Sequence, residues 1–92
     1  MKGRTTRHPL SPRRMKTIRA VAEAYAVDFH KLFMDPKNRG PAFVWPDSLY
    51  SMTRKMAAGG LFQSFRYNAA PSEAEKQLCG ELAEAKAREL AS

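Results

Sequence analysis

Residues 11–27 read SPRRMKTIRAVAEAYAV, and this stretch decides the fold class. Ser11 can accept the orphan amide hydrogens of a first helical turn, and Pro12 suits the first helical position, where a missing N–H costs nothing. Met15, Ile18, Ala22 and Tyr25 then recur as one helical stripe with Val21 beside it, while Arg14, Lys16, Arg19 and Glu23 fall mostly elsewhere. An amphipathic helix follows. Val27-Asp28 is expected to interrupt it, with Asp28 capping a short second helix in which Phe29, Leu32 and Phe33 share an apolar face.

Toward the C-terminus, residues 35–46 (DPKNRGPAFVWP) hold Pro36, Gly40, Pro41 and Pro46, which predicts a loop pinned by Phe43, Val44 or Trp45. Asp47 or Ser48 can cap a third helix in which Leu49, Met52 and Met56 form the stripe, with Arg54 and Lys55 off it and Gly59-Gly60 as its stop. The run LFQSFRY, 61–67, has spacings suited to about two further helical turns, with Phe62, Phe65 and Tyr67 as core. Asn68 to Ala70 closes a turn. Pro71-Ser72 then introduces what reads as the longest helix, with Ser72 and Glu75 at capping-box spacing and Leu78, Leu82, Ala85 and Leu90 as its buried stripe.

No stretch alternates as a strand would, so the expected fold is all-α, a small bundle of four to five helices. Residues 1–10 (MKGRTTRHPL) are polar, basic and broken by Gly3 and Pro9, and read as a flexible arm; residues 11–92 read as a single helical domain. Ninety-two residues leave no room for a second domain.

The charge is +7, the isoelectric point about 10.0, and polyanions are the natural partners. Residues 1–20 carry Lys2, Arg4, Arg7, Arg13, Arg14, Lys16 and Arg19 and no acid. The last stretch instead sets Glu73, Glu75, Glu81, Glu84 and Glu89 against Lys76, Lys86 and Arg88, so it is not expected on phosphates. Catalytic chemistry finds no foothold: His8 lies in the arm, His30 reads as a structural histidine, and neither a phosphate loop nor a dinucleotide fingerprint occurs. Cys79 alone gives no disulfide and, with two histidines, no closed zinc site; it reads as a small apolar helix residue. No metal, cofactor or membrane span is expected, and the lone thiol suits the cytoplasm.

Within residues 15–59, Ile18, Val21-Ala22-Glu23, Tyr25, Val27-Asp28 and Leu32, followed by Pro46, Leu49, Tyr50 and Arg54, resemble the first half of the C-terminal DNA-binding domain of the bacterial replication initiator DnaA. The resemblance implies a Trp-repressor-like, helix-turn-helix bundle in which a basic loop and the following helix touch the DNA backbone, making Lys37 and Arg39 phosphate-contact candidates. The family's Ile-Gly pair and Asp-His-Thr-Thr signature are missing, and Pro71 to Lys76 stand where bases would be read.

The expected function is therefore that of a non-catalytic DNA-binding module, a small transcription or replication regulator of phage, mobile-element or gene-transfer type, associated with the nucleoid. Its expected contacts to duplex DNA are Arg4, Arg7, Arg13, Arg14, Lys16, Arg19, Lys37, Arg39, Arg54 and Lys55. The alternatives are an adaptor that docks to a larger regulator or polymerase subunit through the C-terminal helix, or an RNA- or ribosome-associated protein.

Overall fold

The computed structural model describes residues 12–33, 45–65 and 70–91. Three helices fill these spans: α1 (Pro12–Phe33), α2 (Asp47–Ser64) and α3 (Glu73–Ala91). No strand occurs among the described residues, so the chain is all-α there, with three helices instead of four or five. The arm at 1–10, the loop residues 35–44 with Phe43 and Val44, and Tyr67 lie outside the described residues.

Both expected breaks are absent, each for a packing reason. Helix α1 begins at Pro12, as its sequence suggests, but runs through Val27-Asp28 for 22 residues. Its buried positions are Ile18, Ala22, Ala26 and Phe29, a continuous helical stripe that a break at Asp28 would disrupt. Against that stripe an exposed Asp inside a helix costs only a few tenths of a kcal/mol, roughly 0.7 at most. Phe29 is buried as expected, whereas Leu32 is 57 % exposed and not a core residue.

Helix α2 likewise passes through Gly59-Gly60 and absorbs the first part of LFQSFRY. Neither Asp47 nor Ser48 caps it. The cap residue is Pro46, in extended conformation, whose carbonyl accepts from the amides of Leu49 at 2.9 Å and Tyr50 at 3.3 Å. Its buried stripe is Tyr50, Thr53, Ala57 and Leu61, continued by Phe65, while Met52, Met56 and Phe62 are each about half exposed. Thr53 is fully buried without cost because its hydroxyl donates to the Leu49 carbonyl at 2.8 Å.

The two glycines differ in their surroundings. A Cβ on Gly59 would meet nothing, but one on Gly60 would run into the ring of Tyr25, so Gly60 is what lets α1 lie close to α2. Gly59→Ala is accordingly expected to raise stability by about 0.5–1 kcal/mol, through helix propensity alone. Gly60→Ala is expected to lose that gain to displacement of Tyr25, and urea unfolding of the two variants checks the difference.

At the start of α3 the capping box forms as its spacing predicts. The Ser72 amide donates to Glu75 Oε1 at 2.8 Å and the Glu75 amide donates to Ser72 Oγ at 3.1 Å. At 19 residues α3 is shorter than α1. Its buried face carries Glu75, Cys79, Gly80, Ala83 and Ala87; Leu78 and Leu82 pack at its flank, and Ala85 is exposed. A Cβ on Gly80 would lie 3.2 Å from the Cβ and the carbonyl oxygen of Arg54, so here too a missing side chain sets the helix separation.

The core is thus built largely from small residues between closely packed helices, in two clusters. One joins Ile18, Leu61, Phe65 and Cys79 through alanines of all three helices. The other gathers Phe29, Trp45 and Tyr50, with Trp45 stacked on Tyr50 at 5.4 Å and 6.1 Å from each of Phe29 and Phe33. Trp45 is the residue that pins the end of the 35–46 segment, although its buried Nε1 has no hydrogen-bond partner among the described residues. The Cys79 thiol sits 3.4 Å from the Ala57 carbonyl, and burial pushes its pKa up to about 11, as suits an inert helix residue.

Candidate nucleic-acid interface

The described cations sort into two sets according to whether an acid meets them. Arg13, Lys16 and Arg19 project from the first two turns of α1, all exposed, and no ion pair engages them among the described residues. Their helix positions explain this: Ile18 and Ala22 turn inward, so residues 13 and 16 point away from the bundle and 19 lies at its edge. Lys31 and Lys55, exposed on α1 and α2, are also without an ion pair among the described residues.

Arg14 belongs elsewhere. Its Nε donates to Glu75 Oε2 at 2.7 Å and its terminal nitrogen to Glu75 Oε1 at 2.9 Å, a bidentate pair between α1 and the first turn of α3. The same guanidinium lies 4.1 Å over the ring of Phe65. The Arg14 hydrogen bonds hold the Glu75 carboxyl below the usual carboxylate range, against the opposing effect of burial, with the Ser72 amide adding to the shift; Arg14 is raised in turn. Arg14, expected on DNA, therefore fastens the fold instead, and Glu75 is 8 % exposed.

On α2 and α3 the acids neutralise their neighbours. Arg54 pairs with Glu84 at 3.3 Å, Lys76 with Glu73 at 3.2 Å and Lys86 with Glu89 at 3.0 Å. Arg88 reaches both Asp47 and Glu84 at 3.1 Å while lying 3.9 Å over Tyr50. These pairs are mostly exposed and individually worth roughly 0–1 kcal/mol, yet together they remove net positive charge from that side of the bundle. Of the residues singled out by sequence, Arg4, Arg7, Lys37 and Arg39 lie outside the described residues. Arg13, Lys16 and Arg19 share one helix face, and Arg54 and Lys55 sit on a different helix.

His30 stacks on Trp45 at 6.4 Å, half-buried beside the aromatic cluster. Among the described residues no group of three or more His, Cys, Asp or Glu is placed to hold a metal ion, and no helix is long and apolar enough to cross a membrane. The surface feature that sequence reading missed is apolar. Leu32, Met52 and Met56 are the exposed large hydrophobics of an α1–α2 groove; helical spacing had placed them in the core because the true buried stripes are richer in alanine.

Compared with protein-family models, curated proteins and solved structures, the chain matches none, and nothing there links it to the replication-initiator domain.

Proposed function

We propose that this chain is a non-catalytic DNA-binding module, a small transcription or replication regulator, that lays the outer face of α1 and the basic residues preceding it along duplex phosphates. The observation that supports this is the sorting of charge: Arg13, Lys16 and Arg19 are exposed and in no ion pair among the described residues, although Arg19 shares a cleft with Glu23 and Glu89, while Arg54, Lys76, Lys86 and Arg88 are held in ion pairs. Lys2, Arg4 and Arg7 precede that face in sequence and extend the same acid-free run. Each phosphate so neutralised releases condensed counterions, which supplies affinity without base contacts.

In this reading α3 is structural. Glu73 and the Arg14-bound Glu75 occupy its first turn, where a recognition helix would meet bases, so no base readout is assigned to it. Titrating labelled duplex DNA and single-stranded RNA into the protein at two salt concentrations tests the proposal. Duplex binding that weakens with salt is the expected result; tighter binding to the RNA, or binding to neither, contradicts it.

A further inference from the structure

Ahead of Ile18 the first turns of α1 carry no buried side chain, so the half-buried Arg14 is among the groups that hold them to the bundle. Its partner is fixed independently of it. Glu75 Oε1 accepts from the Ser72 amide at 2.8 Å and the Glu75 amide donates to Ser72 Oγ at 3.1 Å, so the capping box holds the carboxylate in one place at the start of α3. Onto that carboxylate the Arg14 fork closes at 2.7 and 2.9 Å. Two parallel N–H donors on two oxygens is also the geometry in which an arginine takes a phosphate. The two anions therefore compete for one fork.

The Glu75 side chain is 11 % exposed, whereas that of Arg14 is 28 % exposed and keeps an edge in solvent where a second anion can reach it. Arg14 also lies inside the acid-free run. It follows Arg13 directly, precedes Lys16 by two residues, and stands about 100° round α1 from Arg13, at the margin of the face assigned to phosphates. A side chain of arginine's length can cross that margin.

We propose that Glu75 is an autoinhibitory counter-ion: it occupies the Arg14 fork in place of a DNA phosphate, so the chain binds duplex less tightly than its basic run allows. The inference rests on the DNA reading given above and concerns regulation of that same face. Stability and affinity are set against each other here, because the carboxylate that fastens α1 to α3 is the one that withholds a phosphate contact. A purely structural clamp would behave differently: loosening it would lower stability and leave duplex binding unchanged or weaker.

The test measures the salt dependence of duplex DNA binding by the full chain for the parent, Glu75→Gln, Glu73→Gln, Arg14→Gln and the double variant Arg14→Gln with Glu75→Gln. Gln at 75 keeps an acceptor for the Ser72 amide and removes the charge that holds the fork. Glu75→Gln is expected to bind duplex more tightly and to steepen the logarithmic salt slope by about 0.9, one further phosphate contact, while unfolding at lower urea. Glu73→Gln removes the same charge two residues away, from a side chain 92 % exposed, and should leave the slope near that of the parent. Arg14→Gln alone should also leave the slope near that of the parent, yet in the Glu75→Gln background it should abolish the increase. The same set made with Gly59→Ala, whose added helix propensity offsets the lost clamp, keeps the comparison available if a variant is too weakly folded. The inference is overturned if Glu75→Gln leaves the slope unchanged or shallower, if Glu73→Gln steepens it as much, or if the increase survives loss of Arg14. Absence of duplex binding by the parent would overturn it together with the DNA reading, whereas parent binding with an unchanged slope in Glu75→Gln overturns the autoinhibitory contact alone.

Discussion

Leu61→Ala is expected to destabilise the protein by about 3–5 kcal/mol, the range for removing a fully enclosed leucine whose surroundings cannot collapse. Leu61 has no exposed surface and is the largest aliphatic side chain that α2 contributes to the central cluster. Its neighbours there include Ala22, Ala57 and Ala83, which have no length with which to fill a void. A domain of this size has roughly 5–15 kcal/mol of stability in total, so the variant stands near the edge of folding. Leu32→Ala supplies the contrast. Leu32 is 57 % exposed, and its replacement should cost under about 1 kcal/mol. Urea unfolding monitored by circular dichroism checks both, and similar losses at the two positions would contradict the packing described.

Glu75→Ala is the second large effect, expected at about 2–3 kcal/mol. It removes both Arg14 hydrogen bonds and half of the capping box in one step. The loss stays below the roughly 3–5 kcal/mol of a fully buried pair because the Arg14 side chain is 28 % exposed and can rehydrate. Glu75→Gln retains an acceptor for the Ser72 amide and should cost about half as much. The pH dependence follows from the direction of the shift. The Glu75 carboxyl is held below its ordinary value of 4.5, so its contribution is complete above that value and falls away as pH drops through the lower folded-state value. The difference between wild type and Glu75→Gln should therefore be largest near neutrality and shrink in acid; a difference independent of pH would mean that the charge plays no part.

The helix termini at Pro12 and Ser72 were legible because their signals are local: a proline at a first turn, and a serine and glutamate three residues apart. The faces were harder to read. Periodicity of large apolar residues put Leu49, Met52 and Met56 inward, yet the buried stripe of α2 is Tyr50, Thr53, Ala57 and Leu61. Alanine and threonine carry little hydrophobic weight, but they allow close helix approach, and here close approach decides which side faces in. Gly59-Gly60 misled for a related reason. Out of context the pair reads as a helix stop, whereas beside Tyr25 the second glycine is a packing surface. Within the candidate site, the acid-free run already marked Arg13, Lys16 and Arg19. Nothing local could separate Arg14 from them, because its partner Glu75 lies 61 residues away in the chain.

The salt dependence of binding to duplex DNA tests the central assignment most directly, measured for wild type, for the Arg13, Lys16 and Arg19 triple alanine variant, and for an Arg54, Lys76 and Arg88 triple alanine variant. If the outer face of α1 lies on phosphates, the first variant lowers the logarithmic salt slope by up to about three units, near 0.9 per lost contact, while the second leaves it close to wild type. A slope unchanged by the α1 substitutions, or lowered by those on α2 and α3 instead, would contradict the account.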